Sequence, residues 1–123
     1  MNTNLNEIEI NGVKYVPADS VKVMAEPVNE MRYCIIRTYS AGVHAGYVKS
    51  HNGKEVVLIN ARRLWKWSGA FTLSEMAVNG VTNPNECKFA TTVPEIILTE
   101  AIEIIPCTET AKNCILGVKD YEC

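Results

Sequence analysis

The chain has 123 residues, of which 47 % are hydrophobic, enough to form the core of one domain that we expect to span residues 1–123. Its formal net charge is −2 at pH 7, so no overall positive field favours duplex DNA as a partner. It begins without a signal-peptide pattern, and no apolar stretch reaches the ~20 residues that span a bilayer, so we expect a cytoplasmic protein that does not bind membranes.

Two Asn-Gly pairs predict β-hairpins, because both central residues of a type I′ turn need positive φ. Asn11-Gly12 lies in the first predicted hairpin, residues 8–17. Asn52-Gly53 lies at the turn of the second, residues 45–67.

The segments around the second hairpin predict a strand and a helix. Residues 20–30 are ambiguous and are compatible with an irregular connection, whereas 31–39 are rich in aromatic and β-branched residues and predict a strand. A helix is predicted within 72–80, where Thr72 and Glu75 form a possible capping box and Gly80 follows the last helical residue.

The C-terminal third completes the predicted fold. Residues 82–89 predict a loop, and 94–105 predict a strand because isoleucines lie between two flanking prolines. Residues 108–117 predict a closing helix with Thr108 as its N-cap and Gly117 past its end. The fold class is therefore α+β, a mainly antiparallel sheet built from hairpins with two short helices.

The small net charge hides a strong segregation of charge along the chain. Residues 31–70 contain seven basic residues and one acidic residue, a net charge of +6. The other 83 residues contain five bases and 13 acids, a net charge of −8. The basic segment also holds all four arginines and five of the nine aromatic residues, so we expect a functional site there.

Strand alternation distributes these side chains between two faces. If 31–39 is extended, one face carries Tyr33, Arg37 and Tyr39. If 60–68 is extended, one face carries Arg63, Trp65 and Trp67, and the other carries Arg62, Leu64 and Lys66. We therefore expect only one of the two adjacent arginines to contact a given ligand.

Arginine beside aromatic rings is typical of a site for a nucleotide, because guanidinium groups bind phosphate oxygens and rings stack on bases. The small residues after Arg37, with the Ser40 hydroxyl, favour an anion cradle of backbone N–H groups. The candidate ligand-binding residues are Arg37, Thr38, Tyr39, Ser40, His44, Arg62, Arg63, Trp65 and Trp67.

Structural roles are alternatives for the same residues. The tryptophans are also suited to the core or to a subunit interface. The arginines can pair with carboxylates of the acidic C-terminal half, and Gly42 and Gly46 can serve a bend or a bulge. His44 is as well suited to the protein surface as to a ligand contact.

Catalytic and metal-binding patterns are missing from the sequence, so we expect no enzyme, no catalytic residue, no metal and no cofactor. It contains no G-x-S-x-G, P-loop, G-x-G-x-x-G or H-E-x-x-H motif. Glu100 and Glu103 face opposite ways on a strand, and a Ser40–His44 pair has no third group to orient the imidazole. The cysteines are odd in number and lack C-x-x-C spacing, which predicts reduced thiols. They are Cys34, Cys87, Cys107, Cys114 and Cys123.

A family resemblance rests on three segments of the chain, RTYSAGV, NARRLWKWSGA and KFATTVPEIILTEAIEIIPCTETA. They resemble a family of small phage and prophage proteins of uncharacterised function. The resemblance runs from about Ile8 to Ile115 and implies a phage setting. Phages encode small oligomeric sponge proteins that sequester nucleotide signals of bacterial defence systems such as Thoeris and CBASS. This chain is similar to them in size, in its lack of catalytic motifs, and in its concentration of arginine and aromatic residues.

The similarity to sponge proteins, an analogy of setting and of site composition, implies an anti-defence protein of the host cytoplasm that binds a cyclic nucleotide or ADP-ribose derivative without cleaving it. A homo-oligomer is expected, because the Trp-rich strand leaves both faces partly apolar. The main alternative is a phage structural or protein-interaction module whose basic-aromatic segment is a protein interface. Single-stranded nucleic-acid binding and an enzyme acting on signalling nucleotides are further alternatives.

Overall fold

A computed structural model describes residues 8–10, 13–15 and 23–121. The first two strands, β1 (Ile8–Ile10) and β2 (Val13–Tyr15), pair antiparallel with Ile10 opposite Val13. This pairing confirms the first predicted hairpin, although its turn residues, 11 and 12, lie outside the described residues. Residues 20–22 of the ambiguous segment also lie outside them, and residues 23–32 are irregular apart from isolated β-bridges.

The main sheet has six strands and is antiparallel throughout. The strands are β3 (Tyr33–Thr38), β4 (Val43–Asn52), β5 (Glu55–Lys66), β6 (Lys88–Phe89), β7 (Val93–Leu98) and β8 (Ala101–Pro106). The strand order is β6-β5-β4-β3-β8, and β7 also pairs with β5. The predicted strand at 31–39 and the predicted α+β class are confirmed.

The sheet is strongly curled. Its outer strands β7 and β8 lie beside β5 and β3 respectively, yet only Thr99 and Glu100 connect them. The curl brings the tip of the β4–β5 hairpin onto this connection, where the Ala101 amide donates to the Lys54 carbonyl at 3.0 Å. The single strand predicted at 94–105 is therefore wrong, because the chain bends at residues 99–100 to reach the other edge of the sheet.

Two helices cover one face of the sheet, α1 (Leu73–Asn79) and α2 (Glu109–Gly117). Their predicted N-caps are confirmed, since the Thr72 and Thr108 side chains accept hydrogen bonds from the amides of the third helical residues. Gly117 is the last residue of α2, whereas the sequence predicted it just past the end of the helix. The segment predicted as a loop at 82–89 contains a 3₁₀ turn, Pro84–Glu86, as well as β6. Neither α1 nor α2, the α-helices of the described residues, is long and apolar enough to cross a membrane.

The sheet separates two buried clusters. The helix-side core lies between the sheet and the helices, and the inner core lies within the curl. Side chains of neighbouring β3 residues lie in different clusters: Ile35 is in the helix-side core and Ile36 is in the inner core. This alternation decides which face each charged residue of the basic segment reaches.

Four cysteines lie in or beside these cores as free thiols: Cys34, Cys87, Cys107 and Cys114. Burial raises the pKa of Cys34 to about 11 and that of Cys107 to about 12. Protonated thiols with such pKa values behave as small apolar side chains, which agrees with the predicted reduced state.

Candidate functional site

The β4–β5 hairpin places His44 directly opposite Arg63. Its two-residue turn is Gly53–Lys54, one residue later than predicted, and Gly53 has the positive φ of +61° that the turn requires. Two bulges lie between the turn and His44, one with an extra residue in β4 and one with an extra residue in β5. Because their effects on the register are opposite, the pairing at His44 is the same as it would be without them. The start of β4, just after the loop that follows Arg37, therefore pairs with the basic part of β5, at His44 with Arg63 and at Ala45 with Arg62.

His44 and Arg63 line a pocket of about 170 Å³ at one end of the curled sheet. The remaining lining residues are Ala61, Arg62, Ala90, Thr91, Val93 and Ile96. Arg63 is exposed, and within the described part of the chain no ion pair or hydrogen bond engages its guanidinium. Its donors are therefore available to an anion that enters the pocket.

His44 forms a neutral, buried wall of this pocket. Its side chain is buried, and Nε2 lies 2.9 Å from the Ala41 carbonyl oxygen, which can only accept, so Nε2 carries the hydrogen. Burial lowers the pKa of His44 below its ordinary value of 6.5; the bond to Ala41 opposes this shift and the nearby Arg63 cation adds to it. The net positive charge at the pocket therefore comes from Arg63.

An aromatic pair lies beside Arg63 on the same strand face. Trp65 is 54 % exposed, and its ring meets the Tyr121 ring edge-on, with centroids 5.4 Å apart. The Lys88 Nζ lies 5.5 Å from the Trp65 centroid and 4.9 Å from that of Tyr121. We call His44, Arg63, Trp65, Lys88 and Tyr121 the Arg63 surface.

Sequence reasoning missed Lys88 and Tyr121, as well as the pocket residue Thr91, because all three lie outside the basic segment. Tertiary contacts place Tyr121 beside Trp65. Asp120 forms a parallel bridge with Phe89, and the Tyr121 amide donates to the Phe89 carbonyl at 2.9 Å. No local pattern in the sequence signals this contact.

Arg37 lies on another surface. Its side chain shares a sheet face with Ile35, whereas His44 and Arg63 lie on the face of Ile36. The Arg37 guanidinium pairs with the Glu103 carboxylate at 2.9 Å, and both side chains are half-exposed. The alternative that a carboxylate of the C-terminal half neutralises this arginine is therefore confirmed.

The two hydroxyl groups of the small-residue loop after Arg37 form hydrogen bonds within the protein. Thr38 Oγ1 donates to the Gly42 carbonyl at 2.7 Å and accepts from the Ala41 amide at 2.8 Å. The Ser40 hydroxyl donates to the Glu100 carboxylate at 2.5 Å. The structure therefore does not bring Thr38 and Ser40 to the pocket that His44 and Arg63 line.

Tyr39 belongs to the same end of the molecule as this loop. It is 79 % exposed and lies beside Lys54, Glu100 and Ile102. The name Arg37 surface is used below for Arg37, Tyr39, Ser40, Glu100 and Glu103.

Arg62 is a structural residue and not a ligand contact. Its buried guanidinium donates to four backbone carbonyls and to one carboxylate oxygen. The acceptors are the carbonyls of Phe89, Ala90, Ile115 and Val118 and the Oδ1 of Asp120. With its donors engaged, Arg62 has none to offer a phosphate.

Trp67 does not lie beside Arg63 and Trp65. It follows the last residue of β5, so strand alternation does not extend to it, and it packs half-buried against the helix-side core. The face predicted to hold Arg63 and both tryptophans therefore holds Arg63 and Trp65.

The fold and the site define an α+β protein in which a curled antiparallel sheet carries an open surface with an exposed arginine and aromatic rings. The chain belongs to the family described as a domain of unknown function (DUF6948), whose model matches residues 31–115. The match contains the β4–β5 hairpin with Arg63 and ends before Tyr121. No curated protein and no solved structure matches the chain.

Proposed function

We propose that the protein binds a nucleotide-type anion on the Arg63 surface and holds it without cleaving it. The observation that carries this proposal is the Arg63 guanidinium at the pocket, which has no ion pair or hydrogen bond within residues 8–10, 13–15 and 23–121, beside the half-exposed ring of Trp65. A guanidinium binds two phosphate oxygens in parallel, and an exposed indole offers a surface for base stacking.

The spacing of the two groups suits a phosphate joined to a base. Arg63 and Trp65 are two residues apart on one strand, about 7 Å along the strand axis. Lys88 adds a second cation next to the rings. The carboxylate of Asp120, which accepts from the pocket residue Thr91, is balanced by its ion pair with Arg62 at 2.9 Å. A phosphate in the pocket with a base stacked outside it is the arrangement we infer.

The biological setting comes from the resemblance to small phage proteins. In that setting the ligand is a cyclic nucleotide or an ADP-ribose derivative produced by a bacterial defence system. The protein, a homo-oligomer in the host cytoplasm, lowers the free concentration of this signal by binding it. Nucleic acid and membranes are not partners in this proposal.

Thermal unfolding with ligand tests the proposal, because a ligand that binds only the folded state raises Tm, and the stabilisation grows with the logarithm of the ligand concentration relative to Kd. The probes are ADP-ribose and a cyclic dinucleotide, with inorganic phosphate for comparison. We expect at least one nucleotide to raise Tm, and Arg63→Ala and Trp65→Ala to reduce the shift.

The matched control is Arg32→Ala. Arg32 is an exposed arginine of the same basic segment, so this variant changes the net charge equally without touching the pocket. No Tm shift with any probe at millimolar concentration contradicts the proposal, as does equal binding by the Arg63→Ala and wild-type proteins.

A protein-interaction role is the second candidate, and a different residue favours it. The Phe71 side chain is 96 % exposed, yet its loop is held on both sides. Its amide donates to the Glu75 carboxylate at 3.0 Å, and Gly69 packs so closely on Thr82 that a Cβ there would lie 2.3 Å from Oγ1. A large apolar ring presented in a fixed position is typical of an interface anchor.

Sedimentation of the Phe71→Ala variant separates the two candidates. An interaction role predicts that this variant loses subunit or partner association while its nucleotide response is unchanged. Unchanged association in Phe71→Ala, together with loss of the nucleotide response in Arg63→Ala, favours nucleotide binding alone.

A further inference from the structure

The C-terminal segment Val118–Tyr121 supplies one wall of the Arg63 surface. Tyr121 is the ring that meets Trp65 edge-on, and Lys88 lies over both rings. The backbone hydrogen bond from Tyr121 to Phe89 and the bridge between Asp120 and Phe89 join this segment to β6. A two-residue strand such as β6 gives little support alone, so other contacts must hold the segment.

Those contacts converge on Arg62. Its Nη1 donates to the Val118 carbonyl at 2.8 Å and to the Ile115 carbonyl at 2.9 Å, where α2 ends. Its Nη2 donates to Asp120 Oδ1 at 2.9 Å. The second carboxylate oxygen of Asp120 accepts from the Thr91 hydroxyl at 2.7 Å. Arg62 thus fixes the residues immediately before Tyr121 from the buried side of the sheet.

We propose that Arg62 and Asp120 are positioning residues for the candidate site: together they hold the C-terminal segment so that Tyr121 stands against Trp65 and beside Lys88. The consequence for ligand binding rests on the proposed function, whereas the placement of Tyr121 does not. The two adjacent arginines then have separate roles: Arg63 binds the ligand, and Arg62 holds the C-terminal segment that forms one wall of the site. Neither Arg62 nor Asp120 touches the ligand in this arrangement.

Hydrogen exchange of the Tyr121 amide measures the placement without any ligand, because that amide is protected only while it donates to Phe89. Asp120→Ala removes the ion pair and the Thr91 contact at a half-exposed position, so the fold should survive. Arg62→Lys keeps the charge but loses the fork that reaches several acceptors. The charge control is Glu95→Ala, an exposed carboxylate on β7.

We expect Asp120→Ala to speed exchange of the Tyr121 amide roughly tenfold or more, the effect of losing a charge-assisted hydrogen bond. The amide of Lys112 in α2, bonded to Thr108, should stay protected and report an intact fold. Arg62→Lys should act in the same direction, and Glu95→Ala should leave the rate unchanged. Unchanged Tyr121 exchange in Asp120→Ala, or in a folded Arg62→Lys protein, overturns the proposal.

Binding of ADP-ribose or the cyclic dinucleotide gives the second readout. If the wild-type protein binds a probe, Asp120→Ala and Tyr121→Ala should weaken it, and equal affinity in all three overturns the proposed role in the site. If the wild-type protein binds no probe, the proposed function fails, whereas faster Tyr121 exchange in Asp120→Ala still supports the positioning of this residue.

Discussion

Arg37 and Arg63 belong to one basic segment of the sequence, but the surfaces around them differ in what the fold brings to each arginine. On the Arg37 surface, β8 and its preceding turn supply Glu103 to Arg37 and Glu100 to Ser40. On the Arg63 surface, β6 and the C-terminal segment supply rings and a lysine instead. The charge of a chain segment therefore does not by itself predict where a cation is available. That depends on which carboxylates the fold brings to each arginine, and within the described residues none pairs with Arg63.

The largest effect is expected for the buried neighbour of Arg63. Arg62→Ala leaves four backbone carbonyls and a carboxylate without their shared donor, so it should lower the free energy of unfolding by about 3 kcal/mol or more. Urea unfolding measures this loss. A change as small as that of Arg32→Ala would contradict the assignment of Arg62 to the scaffold.

Arg63→Ala should have the opposite profile. Loss of a charge-assisted phosphate contact weakens nucleotide binding by roughly 1.5–3 kcal/mol, about 10- to 150-fold. Because no contact of the Arg63 guanidinium within the described residues is lost, stability should change by at most about 0.5 kcal/mol. Isothermal titration calorimetry and urea unfolding of one preparation give both values. A large loss of stability with unchanged nucleotide binding would contradict the assignment of Arg63 to the ligand.

The pH dependence of stability should reveal the cation beside His44. The pKa of His44 is lowered in the folded state, mainly by burial, so the unfolded chain takes up the proton first as pH falls. Stability contributed by neutral His44 is therefore present above the unfolded value of 6.5 and declines as the pH falls from 6.5 toward the folded pKa. We expect Tm to decrease over this range.

Two variants check the source of that decrease. His44→Gln keeps a donor for the Ala41 carbonyl but does not titrate, so the decline in Tm should be smaller. Arg63→Ala removes a cation that lowers the His44 pKa, so it should also reduce the decline. An identical pH profile in the wild-type and His44→Gln proteins would show that other groups control it.

The smallest effect is expected on the Arg37 surface. Arg37 and Glu103 expose 49 % and 46 % of their side chains, so Arg37→Ala should cost at most about 1 kcal/mol of stability. Nucleotide binding should be unchanged, since Arg37 lies on the opposite sheet face from Arg63. A loss of binding in Arg37→Ala equal to that in Arg63→Ala would mean that the two surfaces act together.

Much of the fold could be predicted because its signals are local. Both helices begin at threonine N-caps whose oxygens accept from the backbone, and both predicted hairpins form. The candidate site was predicted less completely. Placing the second turn at Asn52-Gly53 would set His44 opposite Ala61, whereas the observed turn one residue later sets it opposite Arg63. A one-residue error at a turn shifts every pair on the hairpin by two residues.

The sequence by itself determined the α+β class, the capped helices, the hairpins, and the presence of Arg63 and Trp65 on one strand face. Caps, turns and alternation depend on neighbours within a few residues, so they can be read along the chain. Only the tertiary structure decided that Arg37 is paired, that Arg62 is buried, and that Lys88 and Tyr121 join Trp65. Those contacts join residues far apart in the chain through the curl of the sheet, and a carboxylate neutralises a cation only where the fold places it within hydrogen-bonding distance.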